Sequence, residues 1–295
     1  MIDLHTHTMY SDGTDTAEEI LKNAEKKNLN ILSITDHNNA EVYEVLEKMD
    51  VNKYFSGRII PGVELNTKVL GVPIEILGHG IDYKKLNKMA KDVYISVEER
   101  NRIEVQRLYN KCIKLGMKLD SNCVENHPAN MFASKYIHSE IIKYEENKKF
   151  LDEETWGGDT ISFYRKYMSN PECMLYVEMD DFVPDFETAA KLVKESGGLV
   201  FLPHLFEYKE NSEKVIDYII NNCKFDGIEC FYTTFTEEQS QRLLNICKEH
   251  NYYISGGSDY HGKAKPKVDI GVGYGNLQVK DEIIDNWKDK IKYFK

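Results

Sequence analysis

The chain has 295 residues, 41% of them hydrophobic and 29% charged, which is enough to bury a substantial core. A formal net charge of −11 argues against a surface that grips long nucleic acid by neutralising phosphates. It leaves room for a small phosphorylated substrate held through bound cations. No apolar run approaches the ~20 residues a membrane-spanning helix needs, so no membrane partner is expected. The six cysteines form no Cys-x-x-Cys pair, and no basic-plus-apolar leader precedes the first apolar stretch. A reduced, cytoplasmic enzyme is the expectation.

Residues 1–4 read as a short buried strand that runs into His5 and His7, which project from one face because side chains two apart on a strand do so. Two imidazoles on one face make a grip for a divalent ion, and Asp12 follows after a polar turn to add an oxygen. Residues 17–27 carry Ala17, Ile20, Leu21 and Ala24 at helical spacing, opened by a Thr16/Glu19 capping box. A second strand over 31–34 ends in Thr35-Asp36-His37-Asn38, and a helix over 40–49 follows. A third strand over 58–63 ends at Glu64, and a fourth over 73–77 ends in Gly78-His79-Gly80. Four successive strands thus end in metal-capable groups, the pattern of active-site ends in an α/β barrel or open sheet.

The rhythm changes over 83–175. Residues 84–115 have long helical periodicity, with a charge run at 98–107 that reads as a solvated face. Two further helices are expected over 122–149 around Pro128, and a short one over 159–168. This stretch reads as a helical insertion at the active-site mouth, flanked by barrel segments 1–82 and 176–295. The strand–helix alternation returns with a helix over 184–196 and a strand over 199–202 leading into Pro203-His204. Helix 212–222, strand 227–231, helix 237–250 and strand 252–255 follow, the last running into Gly256-Gly257-Ser258-Asp259-Tyr260-His261-Gly262. A terminal helix is expected over 281–292.

Nine residues at strand ends qualify as metal ligands: His5, His7, Asp12, His37, Glu64, His79, His204, Asp259 and His261. One ion needs four to six ligands, so nine argue for two or three ions with Glu64 as a bridge. Mixed imidazole and carboxylate suits Zn, Mn or Fe better than Ca or Mg, and no cysteine accompanies the histidines as it would in a structural zinc site.

This ordered set resembles the PHP family, the polymerase-and-histidinol-phosphatase domain. The matching stretches are Asp3-Leu4-His5-Thr6-His7 with Ser11-Asp12-Gly13, Thr35-Asp36-His37, Pro61-Gly62-Val63-Glu64, Gly78-His79, Pro203-His204 and Gly257-Ser258-Asp259-Tyr260-His261-Gly262. The resemblance implies a distorted (β/α)7 barrel with a trinuclear site that hydrolyses phosphoesters. It further implies that His5, His7, Glu64 and Asp259 share one ion, Glu64, His79 and His204 a second, and Asp12, His37 and His261 a third. Asp226-Gly227-Ile228-Glu229 followed by Glu237-Glu238-Gln239 is similar to the stand-alone phosphoesterase branch, which carries a helical insertion. That branch has an Arg-Pro-His segment contacting phosphate, whereas this chain reads Lys135-Tyr136-Ile137-His138. His138 matches the histidine, Tyr136 replaces the arginine, and Lys135 is left to act as a point charge without arginine's fork.

The chemistry expected is attack of a metal-activated water on phosphorus, with His204 or His138 protonating the leaving oxygen. Asp36 reads as a group orienting a ligand histidine, and His127 and His250 read as structural. The substrate is expected to be small and phosphorylated, of the nucleotide or nucleoside bisphosphate type, contacted by Lys135, His138, Thr233 and Thr234. An exonuclease that trims short oligonucleotides from the 5′ end is the alternative, with a base stacking in a pocket lined by Tyr232, Thr233, Thr234 and Tyr260. A histidinol-phosphate-type phosphatase and a non-catalytic metal-binding scaffold are the others.

Overall fold

The computed structural model describes residues 1–128 and 131–294. In chain order its elements are β1 (Ile2–Asp3), α1 (Ala17–Lys26), β2 (Ile31–Ile34), α2 (Val42–Leu46), β3 (Arg58–Val69), β4 (Val72–His79) and α3 (Tyr83–Ala90). Then come α4 (Val97–Lys114), α5 (Ala133–Ile141), α6 (Glu153–Trp156) and α7 (Thr160–Tyr167). The chain continues with α8 (Phe186–Glu195), β5 (Leu199–Leu202), α9 (Ser212–Asn222), β6 (Gly227–Tyr232), α10 (Glu237–His250) and β7 (Tyr253–Gly257). They form two compact units, residues 1–94 with 183–295, and residues 95–182.

In the first unit seven strands pair in sequence order. The ladders β1–β2, β2–β3, β5–β6 and β6–β7 are parallel. The ends meet as well: Leu4 N donates to Gly256 O at 3.2 Å, and Thr6 bridges Tyr260. The result is the expected distorted α/β barrel, nearly closed. One strand departs from the expected repeat, because β4 runs antiparallel to both β3 and β5. The cause is a two-residue loop, Leu70 and Gly71 at φ +52° and +75°, that closes the Val69–Val72 pair. Two consecutive positive φ angles make the tight hairpin turn whose twist matches its strands. The spacing predicts 58–63 and 73–77 as two strands pointing the same way, and the Leu70-Gly71 pair is the signal against it.

The helices form where caps and apolar stripes agree. Thr16 and Glu19 make the expected capping box, and α1 buries Ala17, Ile20, Leu21 and Ala24 against the sheet. The terminal helix expected over 281–292 is instead two 3-10 turns, Asp281–Ile284 and Lys288–Lys290. The anchors Ile284 and Trp287 are three residues apart, which places both on one side of a 3-10 turn. Trp287 is fully buried beside Phe201 and His79, and its Nε1 donates to Ile254 O at 3.0 Å.

The second unit has its own core, including Val105, Leu108, Cys112, Ile137 and Phe163. The helix expected over 84–115 is broken before Ser96, whose hydroxyl caps α4 by accepting from Glu99 N. Helix α3 belongs with the barrel, where Leu86 joins the main core. The charge run on α4 is tied down locally, Arg102 pairing with Glu99 at 2.7 Å and Arg107 with Asp181 at 2.5 Å. Of the two helices expected over 122–149, α5 forms after Pro128, residues 122–126 are turns and Glu145–Phe150 is a 3-10 helix; residues 129 and 130 lie outside the described part. Among the described residues no helix is long and apolar enough to cross a membrane.

Candidate metal centre

Strand geometry brings histidines and carboxylates from six loops and strands together. His5 and His7 leave β1 on one face and are both fully buried. A Cβ at Gly257 would sit 2.3 Å from His5 Cβ, so β7 needs glycine where it passes β1. His5 Nδ1 meets Glu229 Oε1 at 3.0 Å, which holds the ring with its Nε2 edge turned inward. That Nε2 lies 3.1 Å from Glu64 Oε2 and 3.6 Å from Asp259 Oδ1. His7 Nε2 faces the same two oxygens at 3.1 and 3.4 Å. His7 also stacks on His261, ring centres 4.1 Å apart.

Glu64 is the hub. Its Oε2 serves His5, His7 and, at 3.6 Å, His37 Nδ1, while its Oε1 meets His204 Nε2 at 2.9 Å. Asp12, half exposed, reaches His261 Nε2 at 3.1 Å, His7 Nδ1 at 3.6 Å and His37 Nε2 at 3.7 Å. Asp259 divides its work: Oδ1 faces the histidines, and Oδ2 accepts from Tyr232 Oη at 2.7 Å and Lys265 Nζ at 2.5 Å. His204 and Asp259 hold φ at +28° and +57°, and Asn38, next to His37, at +58°. Such backbone costs about 1–3 kcal/mol per residue and collects at functional sites.

Three sets of ligand atoms lie within 4.8 Å of one another: His7, Asp12, His37 and His261; His5, His7 and Glu64; and His37, Glu64 and Glu75. The donor set fits divalent ions. Buried His7 Nε2 and His37 Nδ1 have no hydrogen-bond partner, although each lies within 4 Å of a carboxylate oxygen. Lone pairs of both partners converge on shared space rather than on each other, which is what a bridging cation requires.

Electrostatics divide the histidines. Burial, and then the charge of His261, pushes the His7 imidazole down to about 3, so it stays neutral and able to ligate. Burial works against ionising Glu64, yet His5 and His37 hold it well below the usual carboxylate range. For His204 burial lowers the value, but the Glu64 hydrogen bond and charge outweigh it and raise it to about 9. Burial, then Glu64, raises Glu75. The half-buried Glu75 thus feels the ionised Glu64 beside it.

Eight of the nine expected ligands meet here, and His79 does not. Because β4 is reversed, its start points to the site and its end away from it. His79 lies four residues past Glu75, about 13 Å along the strand at the usual rise per residue. It packs on Phe201 and Trp287, its Nδ1 3.3 Å from Ser33 Oγ. Glu75 takes the place beside Glu64, with Oε1 3.7 Å from His37 Nδ1 and Oε2 3.3 Å from His204 Nε2. Sequence reading missed it; recognising the Leu70-Gly71 hairpin would have moved the search from the strand's end to its start. Glu229 was also missed as a group that orients ligands, holding His5 Nδ1 and accepting from His204 N at 2.9 Å. Asp36 does not orient a histidine directly; it accepts from Thr8 N, Thr8 Oγ1 and Ser11 Oγ at 2.6–2.7 Å and so braces the loop carrying His7 and Asp12.

The expected substrate contacts fare differently. His138 is 2% exposed inside the second unit, its Nε2 bound to Thr155 O at 2.8 Å and its ring stacked on Phe163 at 4.2 Å. It is a satisfied core histidine of that unit. Tyr136 is likewise buried, donating to Cys123 O at 2.6 Å, so it fills the core where a phosphate-binding arginine was looked for; Lys135 is exposed. Thr233 is buried with its hydroxyl spent on Ser258 O at 2.5 Å, and Thr234 donates to Glu207. Tyr260 donates to Asp15 at 2.7 Å. His127 is bound to Met131 O at 2.7 Å, and His250 is stacked on Tyr252.

Comparison with known proteins agrees with this geometry. The chain is 24% identical over 264 residues to the phosphoribosyl 1,2-cyclic phosphate 1,2-diphosphodiesterase of Eggerthella lenta, covering 88% of this chain and 94% of that one. It is 23% identical to a 5′-3′ exoribonuclease of Haemophilus influenzae, covering 97% of both. Among solved structures, a protein assigned as a metal-dependent phosphoesterase from Bifidobacterium adolescentis matches 99% of this chain and 96% of its own, with TM-score 0.67 and 19% identity. A Chromobacterium violaceum structure titled an amidohydrolase, with bound sulfate and no metal, matches 100% and 98%, with TM-score 0.68 and 20% identity. The family model described as the PHP domain matches residues 3–255, and by that match the chain belongs to the PHP-domain family.

Proposed function

We propose that this chain hydrolyses phosphoesters in small phosphorylated substrates, using two or three divalent ions of the Mn, Zn or Fe type. The observation that carries the reading is the convergence of His5, His7, Asp12, His37, Glu64, His204, Asp259 and His261, with buried ring nitrogens left unpaired toward carboxylate oxygens. Ions held by these residues would supply an activated water and would neutralise charge on the phosphate. The protein's own part is positioning. Glu64 spans the cluster with both oxygens, Glu229 fixes the His5 ring, and Tyr232 with Lys265 holds the outer oxygen of Asp259. His204, 8% exposed and held by Glu64, is the histidine placed to pass a proton or ligate at the cluster. The six cysteines, all free thiols, support a reducing compartment, the cytoplasm.

The relatives favour a second reading of the substrate. One is named for a cyclic phosphodiester and others for stepwise cleavage of RNA from the 5′ end. A diester of a short oligonucleotide is therefore the alternative to a nucleoside bisphosphate. Chelated protein, recharged with Mn2+, should be assayed on a nucleoside 3′,5′-bisphosphate, a 5′-phosphorylated five-residue RNA and a five-membered cyclic phosphate. Turnover of any of these that vanishes with chelator supports phosphoester hydrolysis, and the preferred member fixes the class. No turnover of all three with Mn2+, Zn2+ or Fe2+ present would contradict it.

A further inference from the structure

We propose that Lys265 grips the phosphate of the substrate, and that its charge tips the site toward a terminal phosphate over an internal diester. The inference rests on the phosphoester reading above and names the cation which that reading lacks. The arginine looked for at 136 is a tyrosine spent on the core of the helical unit. The carboxylates Asp12, Glu64, Glu75, Glu229 and Asp259 meet at the cluster, and their charges nearly balance those of two or three divalent ions. A terminal phosphate carries about two negative charges at neutral pH and a diester a single one, so the first gains more from a further cation.

Lys265 is placed for this by the loop that follows His261. Lys263 N donates to Thr14 Oγ1 at 2.7 Å, and Val268 N donates to Lys265 O at 2.9 Å, so the backbone on both sides of the lysine is tied down. Its Nζ lies 2.5 Å from Asp259 Oδ2, while Asp259 Oδ1 faces His5 Nε2 and His7 Nε2 at 3.6 and 3.4 Å. One carboxylate's width therefore separates the ammonium from the space the histidines face. Burial works against its charge, and the charges of Asp259, Glu64 and Asp12 outweigh that. The side chain is still 40% exposed, so a ligand can reach it. Among the described residues Asp259 is its hydrogen-bond partner, which leaves the other ammonium N–H groups for a phosphate oxygen. Tyr232 donates to the same Oδ2 at 2.7 Å, so Asp259 keeps a partner when the lysine turns toward a ligand. An ammonium binds phosphate as a point charge with rotatable donors, without needing arginine's fork.

The test separates a phosphate contact from a prop for Asp259. Full-length wild type, Lys265→Gln and Lys265→Arg, each loaded with Mn2+, are titrated by calorimetry with inorganic phosphate and with dimethyl phosphate. At about pH 8 the first is a dianion and the second a monoanion. Bound metal is counted by elemental mass spectrometry. Lys265→Gln should bind inorganic phosphate about tenfold or more weakly, the lower end of what a hydrogen bond to a charged group supplies. Its loss for dimethyl phosphate should be smaller, and its metal count unchanged. Lys265→Arg keeps the charge and should bind phosphate as wild type does. Thermal melts confirm folding, and Lys265→Met takes the place of a Lys265→Gln protein that does not fold. Four results would overturn the inference while leaving phosphoester hydrolysis standing: an undiminished phosphate affinity in Lys265→Gln, equal losses for the two probes, a metal count that falls with the affinity, or a Lys265→Arg protein as weak as Lys265→Gln. Wild type that holds metal, binds neither probe and turns over none of the phosphoesters named above overturns both.

Discussion

The barrel unit and the helical unit use histidine in opposite ways. In the barrel, His7 and His37 are left with buried ring nitrogens that face carboxylates without a hydrogen bond. In the helical unit, His138 is equally buried, but its Nε2 has a carbonyl partner at 2.8 Å and its ring a stacked phenylalanine. Burial alone therefore does not mark a functional histidine. A buried nitrogen that is unsatisfied and convergent with others does, because such a group costs about 1–3 kcal/mol unless something outside the chain completes it.

The sharpest way to break the contrast is Glu64→Gln. Replacing one oxygen by an amide removes the bridge joining His5, His7, His37 and His204. Turnover should fall to below about a tenth of wild type, a loss of several kcal/mol in transition-state stabilisation, with the fold intact by circular dichroism. A rate near wild type would take Glu64 out of its central place.

Next comes Glu229→Gln. It touches no proposed ion position, but it holds the His5 ring and the His204 backbone. Metal affinity should drop about 10–100-fold, measured by titration calorimetry. An unchanged affinity would mean the ring is held by packing alone.

His138→Asn should do the reverse. The helical unit loses a stacked, hydrogen-bonded core group, so stability should fall by about 1–3 kcal/mol in a denaturant titration, while kcat and bound metal stay at wild-type values. A large fall in kcat without loss of stability would restore His138 as a participant.

The smallest effect is a pH dependence of the same residue. Burial lowers the His138 value below its usual 6.5, so the unfolded chain binds the proton more readily than the folded one. The stability this contributes is complete above pH 6.5 and is lost as pH falls toward the folded value. Amide exchange in α5 should therefore quicken as pH drops below about 6.5, after correction for intrinsic rates, and His138→Asn should abolish that extra dependence.

How much of this was legible in the sequence follows the same division. Local signals held where they were self-contained, as in the α1 capping box and the apolar stripe of Ile20, Leu21 and Ala24. The candidate ligands that follow parallel strands were also legible, since His37, His204 and Asp259 each stand just past such a strand's end. His79 was misplaced and Glu75 overlooked for one reason: strand direction is set by a two-residue turn, and reading Gly78-His79 as a strand end presumed a direction that Leu70 and Gly71 reverse. Glu229 was hidden because orienting a ligand is a relation between distant strands and leaves no spacing in the chain. The fates of His138 and Tyr136 were set by packing within the helical unit, which residue identity at 135–138 does not disclose.

The central claim is that the unpaired nitrogens and carboxylates are there to hold ions. An anomalous-scattering map from crystals of the chain grown with Mn2+ tests it most directly. The account predicts peaks within ligand distance, about 2.0–2.2 Å, of His5, His7 and Glu64, of Asp12, His37 and His261, or of Glu64, Glu75 and His204. A well-ordered structure with no anomalous peak touching Glu64 would contradict it.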